Sequence, residues 1–270
     1  MVTGGFAAWT QTPRDWQFPD TLKWVQSQTT GIEIYPPALL RDRIMTCGRG
    51  LNAVPIAEFV FAAMLRIEKR LEETRAQSQI DWRRHDIGRL HGKTLGLVGY
   101  GTIGQAIARR ALAFDMRVVV SRRTPWQGES SIIAADIASV FAAADHLVIA
   151  APLTPETEGM IGKTLLDGAR PGLHLINISR GGLLDQDALV AALETGRVAQ
   201  ATLDVTTPEP LPDEHPLYAF PNVFISPHIS WAGGDLALRA RGNSGGEQCC
   251  RCSVHRASPA AGDFVESSIW

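Results

Sequence analysis

From Thr94 to Ser226 the chain alternates short β-branched runs with stretches of helical apolar spacing, and this alternation leaves few folds open to it. Strand candidates are 94–98, 117–120, 146–150, 173–178, 200–205 and 223–226. The intervening 103–114, 135–143, 163–169 and 185–194 read as helices, with Gly196 a C-terminal stop for the last of them. Strand and helix repeated in this order predict parallel strands joined by crossover helices, hence an α/β doubly wound parallel sheet covered on both faces. Upstream, 54–75 predicts one long helix, apolar in its first half and charged in its second, RIEKRLEETR. The first fifty or so residues hold one strand–turn candidate, LKWVQSQTTGIEIY, and little else that could bury a core, so they read as part of a second, smaller domain.

The first predicted strand, TLGLV, runs into Gly99, Gly101 and Gly104, and the helix IGQAIARRALAF follows at once. In that context the glycines permit a tight turn and a close approach of backbone to a pyrophosphate, whose charge the helix start favours, as in a Rossmann dinucleotide site. A purely structural glycine turn is the competing reading. An NAD site places Asp or Glu at the end of the second strand to bind the ribose hydroxyls. Here that strand, RVVV, ends in Ser121, Arg122 and Arg123, and Asp115 comes too early. A serine and two arginines suit a 2′-phosphate, which predicts NADP as the cofactor with NAD as the alternative; two solvated arginines in a turn are the plainer reading.

Three further residues carry chemistry: Arg180 in NISRGG, Glu209 in TPEPLP and His228 in SPHIS. Forked arginine donors hold a carboxylate and polarise a neighbouring carbonyl, and a histidine beside a glutamate passes a proton near neutral pH. With a nicotinamide to exchange hydride, the set describes interconversion of a 2-keto acid and a 2-hydroxy acid. Each residue also has a structural reading: Arg180 as a pair for Asp204, Glu209 as a loop acid, His228 as a turn residue. Of the other histidines, His146 begins a strand and His174 lies near one, where a core or edge place is expected rather than catalysis.

Net charge and composition narrow the partners. A formal charge of -2 offers no general attraction to nucleic acid or anionic membrane. The apolar stretches 53–65 and 137–153 are interrupted by Glu58 and by Asp145 with His146, so no membrane span is predicted. The start MVTGGFAAWTQTPRDW lacks the pattern of a signal peptide, which predicts a cytoplasmic protein. Cys249 and Cys252 form a CxxC, with Cys47 or His255 as remote candidates for a third ligand; without a second paired half, no metal site is predicted.

Read jointly, LKWVQSQTTGIEIY, NAVPIAEFVFAAML, LHGKTLGLVGYGTIG, APLTPET, LINISRGGLLDQDAL, TLDVTTPEPLP and SPHIS resemble the D-isomer-specific 2-hydroxyacid dehydrogenases, glyoxylate/hydroxypyruvate reductases among them. The resemblance runs from about Leu22 to Trp231. It implies Arg180 as the substrate arginine, Glu209 as the acid that orients the histidine, and His228 as the proton donor. It further implies that backbone N–H groups near Thr30 and Gly31 bind the substrate carboxylate and that Thr102 and Ile103 lie under the pyrophosphate. By the same resemblance Pro152 and Thr157 line the cofactor, Asp204 meets the nicotinamide amide, and the assembly is a homodimer.

The implied organisation is a partial, flavodoxin-like substrate domain over 1–52, a dinucleotide-binding domain over 53–229, and a segment over 230–270. Two departures from the family pattern stand out. The lead before the TTG turn is short, and ALRARGNSGGEQCCRCSVHRASPAAGDFVESSIW lacks the family's closing helix, reading instead as a flexible tail. The substrate domain is therefore expected to be truncated, with cofactor binding better preserved than turnover. A dinucleotide-sensing corepressor-like binding protein is the second reading, and turnover of glyoxylate and hydroxypyruvate separates the two.

Overall fold

The computed structural model describes residues 17–27, 31, 35–36, 39, 43–46, 50–233, 253–257 and 264–268. Along the chain come β1 (Trp24–Gln26), β2 (Ile44–Thr46), α1 (Ala53–Lys69), β3 (Thr94–Val98), α2 (Thr102–Ala113), β4 (Arg117–Ser121) and β5 (Ile132–Ala134). There follow α3 (Ile137–Ala143), β6 (His146–Ile149), α4 (Lys163–Asp167), β7 (Leu173–Asn177), α5 (Gln186–Glu194), β8 (Val198–Leu203), β9 (Val223–Ile225), β10 (Ser253–Ala257) and β11 (Phe264–Ser268). The chain divides into two units, Ala53–Gly233 and the pair of segments Met1–Asn52 and Gly234–Trp270.

In the larger unit seven strands pair in the order β5-β4-β3-β6-β7-β8-β9, and every pairing is parallel. This is the doubly wound sheet expected from the alternation, and its strand order reverses direction between β3 and β6. Successive residues of a strand face opposite sides, and the two cores follow that rule. Leu95, Leu97, Val118, Val120, Val148 and Ile176 pack with Ile56, Val60, Met64, Ile107 and Ala111 of α1 and α2. Leu147, Ile149, Leu173, Leu175, Ala201 and Leu203 pack on the other face with Val140 and Phe141 of α3 and Leu189 and Leu193 of α5.

Several boundaries differ from the expectation for physical reasons. The first helix stops at Lys69, not near residue 75: Arg70 takes a positive φ of 47°, and Leu71, 57% exposed, has no core to face. Asp136 and Asp185 accept from the N–H groups of Ser139 and Ala188 at 2.8 and 3.0 Å, so α3 and α5 begin one residue after these caps. β5 escapes the sequence reading because it is three residues long and pairs only with β4 at the sheet edge.

A polar chain crosses the start of the sheet. The Lys93 ammonium and the His146 Nε2–H both donate to Glu68 Oε1, the latter at 3.0 Å. His146 Nδ1 meets His174 Nδ1 at 3.0 Å, and His174 Nε2 meets Thr202 Oγ1 at 3.0 Å. Both rings are buried, at 1% and 2% exposure, so the core place expected for them is the one they occupy. Two ring nitrogens at that separation need one donor and one acceptor, so the pair cannot hold two imidazoliums. Burial pushes His174 well below the usual imidazole range, and the neighbouring charges of His146, Arg66 and Lys93 act in the same sense. Burial alone would raise Glu68; hydrogen bonds and charges from His146 and Lys93 outweigh it and hold the carboxyl below its ordinary value.

In the smaller unit β1 and β2 are parallel, β10 runs antiparallel to β2, and β11 pairs antiparallel with β10. Val25, Tyr35, Leu39 and Met45 are buried there, with Tyr35 Oη donating to Ser27 Oγ at 2.9 Å. β10 and β11 fall within 230–270, where composition predicts no regular structure. Gly234–Trp270 groups with the first fifty-two residues in one unit.

Candidate active site

In a parallel sheet all strand C-termini lie along one edge, and the singled-out residues of the larger unit gather there: Gly99 after β3, Ser121 at the end of β4, Pro152 beyond β6, Arg180 beyond β7, Asp204 after β8 and His228 beyond β9. The edge spans the point where the strand order reverses.

Gly99 has φ +102°, and a Cβ on it would lie 2.6 Å from the Ala150 carbonyl oxygen, so only glycine lets the β3 turn pass beside β6. Its N–H donates to Ser121 O at 2.8 Å and ties that turn to the end of β4. Gly101 is the N-cap of α2 with no side-chain cap, and nothing lies within 4 Å of where its Cβ would be. The helix start is thus uncrowded at Gly101, while Gly104 packs on the Gly99 carbonyl, where a Cβ would fall 2.5 Å from the oxygen; with the positive end of the helix behind it, this turn is a cradle that fits a dinucleotide pyrophosphate. Arg122 and Arg123 are exposed at the tip of β4, and no acid stands there for a ribose. The Thr154 hydroxyl holds the Glu156 carboxyl below its ordinary value, with the charge of Arg123 a smaller contribution. Thr157 Oγ1 donates to Pro152 O at 2.8 Å and accepts from Thr154 N–H at 2.7 Å, so this hydroxyl shapes its own loop.

His228 and Glu209 meet at 3.0 Å, Nδ1 to Oε2, with side chains 31% and 37% exposed. The pairing inferred from TPEPLP and SPHIS is therefore a direct contact across nineteen residues of chain. His228 takes a positive φ of 52° and its N–H donates to both Asp204 O and Ser226 O at 2.9 Å, a turn folded around Pro227. Asp204, 1% exposed, holds this turn: Oδ1 accepts from Ser226 Oγ at 2.6 Å and Ile229 N–H at 2.8 Å, and Oδ2 from Ser230 N–H at 3.0 Å. Trp231 Nε1 closes it by donating to His228 O at 2.7 Å. Sequence reasoning places Asp204 at the cofactor or opposite Arg180, and misses this grip on the histidine's backbone. Its only signal is the spacing of an acid at one strand end and a Ser-Pro-His turn at the next.

Arg180 and Glu209 are linked through backbone and not by a direct bond. A Cβ on Gly181 would fall 2.0 Å from the Thr206 carbonyl, so the RGG turn rests directly on the loop whose Thr206 N–H donates to Glu209 Oε1 at 3.2 Å. Gln186 clamps Thr207 from the same side, Nε2 to the carbonyl at 2.7 Å and Oε1 from the N–H at 3.0 Å. Thr207–Pro208 and Glu209–Pro210 are both cis. Arg180 Nη1 donates to Ser179 O at 2.7 Å, and Asn177 Nδ2 holds Arg180 O at 3.0 Å. Thr30 lies outside the described residues, as do Cys47, Cys249 and Cys252; Gly31 lies in the smaller unit. Among the described residues no His, Cys, Asp and Glu cluster could hold a metal ion, and no helix is long and apolar enough to cross a membrane.

An all-parallel sheet of this order, with a glycine cradle at its switch point, defines a domain of the dinucleotide-binding, doubly wound class, and an acid–histidine pair lies on the same edge. Residues 61–230 match the profile of the D-isomer specific 2-hydroxyacid dehydrogenase NAD binding domain, and the chain belongs to that family. It is 37% identical over 182 residues to the glyoxylate/hydroxypyruvate reductase A of Serratia proteamaculans, covering 66% of this chain and 58% of that one. With the glyoxylate reductase of Thermococcus litoralis it shares 37% identity over 208 residues, 72% of this chain and 62% of the other. Among solved structures, the D-isomer specific 2-hydroxyacid dehydrogenase of Xanthobacter autotrophicus, in complex with NADPH and MES, superposes with a TM-score of 0.68 at 30% identity, over 78% of this chain and 69% of that one. The chain thus spans about three fifths of the length of the two named reductases.

Proposed function

We propose that this chain works as an NADP(H)-dependent reductase of small 2-keto acids of the glyoxylate and hydroxypyruvate class. The observation that carries the reading is the 3.0 Å contact between His228 Nδ1 and Glu209 Oε2 on the same sheet edge as the glycine cradle. When bound, the dinucleotide supplies the hydride. Gly99, Gly101, Thr102, Ile103 and Gly104 hold its pyrophosphate, Pro152 and Thr157 line its path, and Ser121, Arg122 and Arg123 take the 2′-phosphate. Glu209 accepts from Nδ1–H and so fixes the ring's orientation, and Nε2 is assigned the proton that is given to the keto oxygen and retrieved in the reverse direction. Arg180 binds the carboxylate and, as negative charge gathers on the carbonyl oxygen, stabilises it. Thr30 and Gly31 are assigned the other side of the carboxylate by resemblance alone. The names of the two reductases support the substrate class, and the NADPH in the Xanthobacter structure supports the cofactor.

The test is steady-state turnover of glyoxylate and hydroxypyruvate with NADPH and with NADH. The reading expects kcat/KM to favour NADPH, and the preference to fall in the Arg122→Ala, Arg123→Ala double variant. A parent that favours NADH overturns the cofactor assignment. Tight dinucleotide binding with no turnover of either acid would instead support a binding role.

A further inference from the structure

The loop after β4 is tied to the glycine turn by an aromatic stack. Tyr100, between Gly99 and Gly101, stacks on Trp126 with ring centroids 4.9 Å apart and planes 23° from parallel. Trp126 is half-buried and packs on the core beneath α1 and α2, so its ring is held from below as well. Downstream, Glu129 and Ile132 exchange N–H to O bonds at 3.1 and 3.0 Å and turn the chain into β5, which anchors the far end of the loop. On this platform lies Arg122, its Cζ 5.9 Å from the centre of the Trp126 ring. Arg122 and Trp126 also line one recess of about 230 Å³ with Val120, Thr124, Pro125 and Ala134.

An arginine resting on an aromatic ring uses the flat face of its guanidinium and keeps its edge N–H groups for an anion. It also has less rotamer freedom left to lose when it grips one. We propose that Trp126 is a positioning residue for cofactor discrimination: braced by Tyr100, it holds Arg122 ready for the 2′-phosphate that distinguishes NADPH from NADH. This rests on the NADP(H) reading above.

Calorimetric titration of the full chain with 2′,5′-ADP and with 5′-AMP tests it without turnover. The unaltered chain should bind 2′,5′-ADP the more tightly. Trp126→Leu, which keeps apolar volume but removes the π face, should weaken 2′,5′-ADP by about two- to fivefold, the worth of one exposed cation–π contact, and leave 5′-AMP unchanged. Trp126→Phe should keep at least half of the preference, and adding Trp126→Leu to Arg122→Ala should cost nothing further. If Arg122→Ala abolishes the preference while Trp126→Leu leaves it intact, or if Trp126→Leu weakens both ligands alike, the role of Trp126 is wrong and the cofactor reading stands. An unaltered chain without preference for 2′,5′-ADP overturns the cofactor reading itself, and the positioning role with it.

Discussion

At the scale of single residues, the site depends on three groups whose geometry differs in kind. His228 and Glu209 touch directly, Asp204 grips the turn that carries His228 by three hydrogen bonds, and Gly181 lets the Arg180 turn sit on Thr206. His228→Gln is expected to lower kcat by about a hundredfold or more, the usual worth of a general acid, with the Kd for NADPH nearly unchanged. Glu209→Gln should cost less, because the ring keeps a hydrogen-bond partner and loses only its charge. Full activity in His228→Gln, measured by single-turnover kinetics, would end the assignment. Asp204→Asn makes a second, separable prediction. It turns an acceptor toward two backbone N–H groups into a donor at one of them, so about 1–3 kcal/mol of stability should be lost in urea unfolding. If Asp204 acts through the His228 turn, turnover drops with it while NADPH affinity holds; a large change in NADPH affinity with unchanged turnover would return the residue to the cofactor.

Among elements, the polar chain across α1, β6, β7 and β8 sets a pH dependence remote from the chemistry. His174 is buried and its folded pKa is lowered, so the unfolded chain binds its proton first as pH falls. Its contribution to stability is therefore complete above the unfolded imidazole value of about 6.5 and is lost progressively below it. Glu68 is also lowered, and as an acid its contribution is present above the ordinary carboxyl value and lost as pH falls through its folded value, at more acidic pH. Urea midpoints measured from pH 8 to pH 5 should be flat and then fall beginning near 6.5, and His174→Gln should flatten the fall. A midpoint that rises as pH drops through this range would contradict the neutral buried ring.

For the molecule as a whole, the larger unit holds its own seven-stranded sheet, both of its cores and every described residue assigned to the dinucleotide. A fragment of residues 53–233 should therefore unfold cooperatively and bind NADPH within a few fold of the full chain, by calorimetry and thermal denaturation, while showing no turnover if Thr30 and Gly31, which are outside it, hold the substrate as proposed. A fragment that fails to fold, or one that reduces glyoxylate at the parent's rate, would show that the units do not divide the work in this way.

What the residues alone determine here is what repeats locally: β-branched runs set the strands, helical spacing sets the helices to within a residue or so of their starts, and the glycines after TLGLV mark the turn. The family motifs add Arg180, Glu209 and His228, because their identities carry their chemistry wherever they lie. The rest is decided by distance in space. A three-residue edge strand such as β5 has no period to read, and α1 ends where burial ends and not where its charged pattern does. The grip of Asp204 on the His228 turn, the seat of Gly181 on Thr206, the His146–His174 contact and the Arg122–Trp126–Tyr100 stack each join residues whose partners are fixed only once strands lie side by side. Hydrogen bonds and ring contacts act over a few ångströms, and the folded sheet alone brings these groups that close.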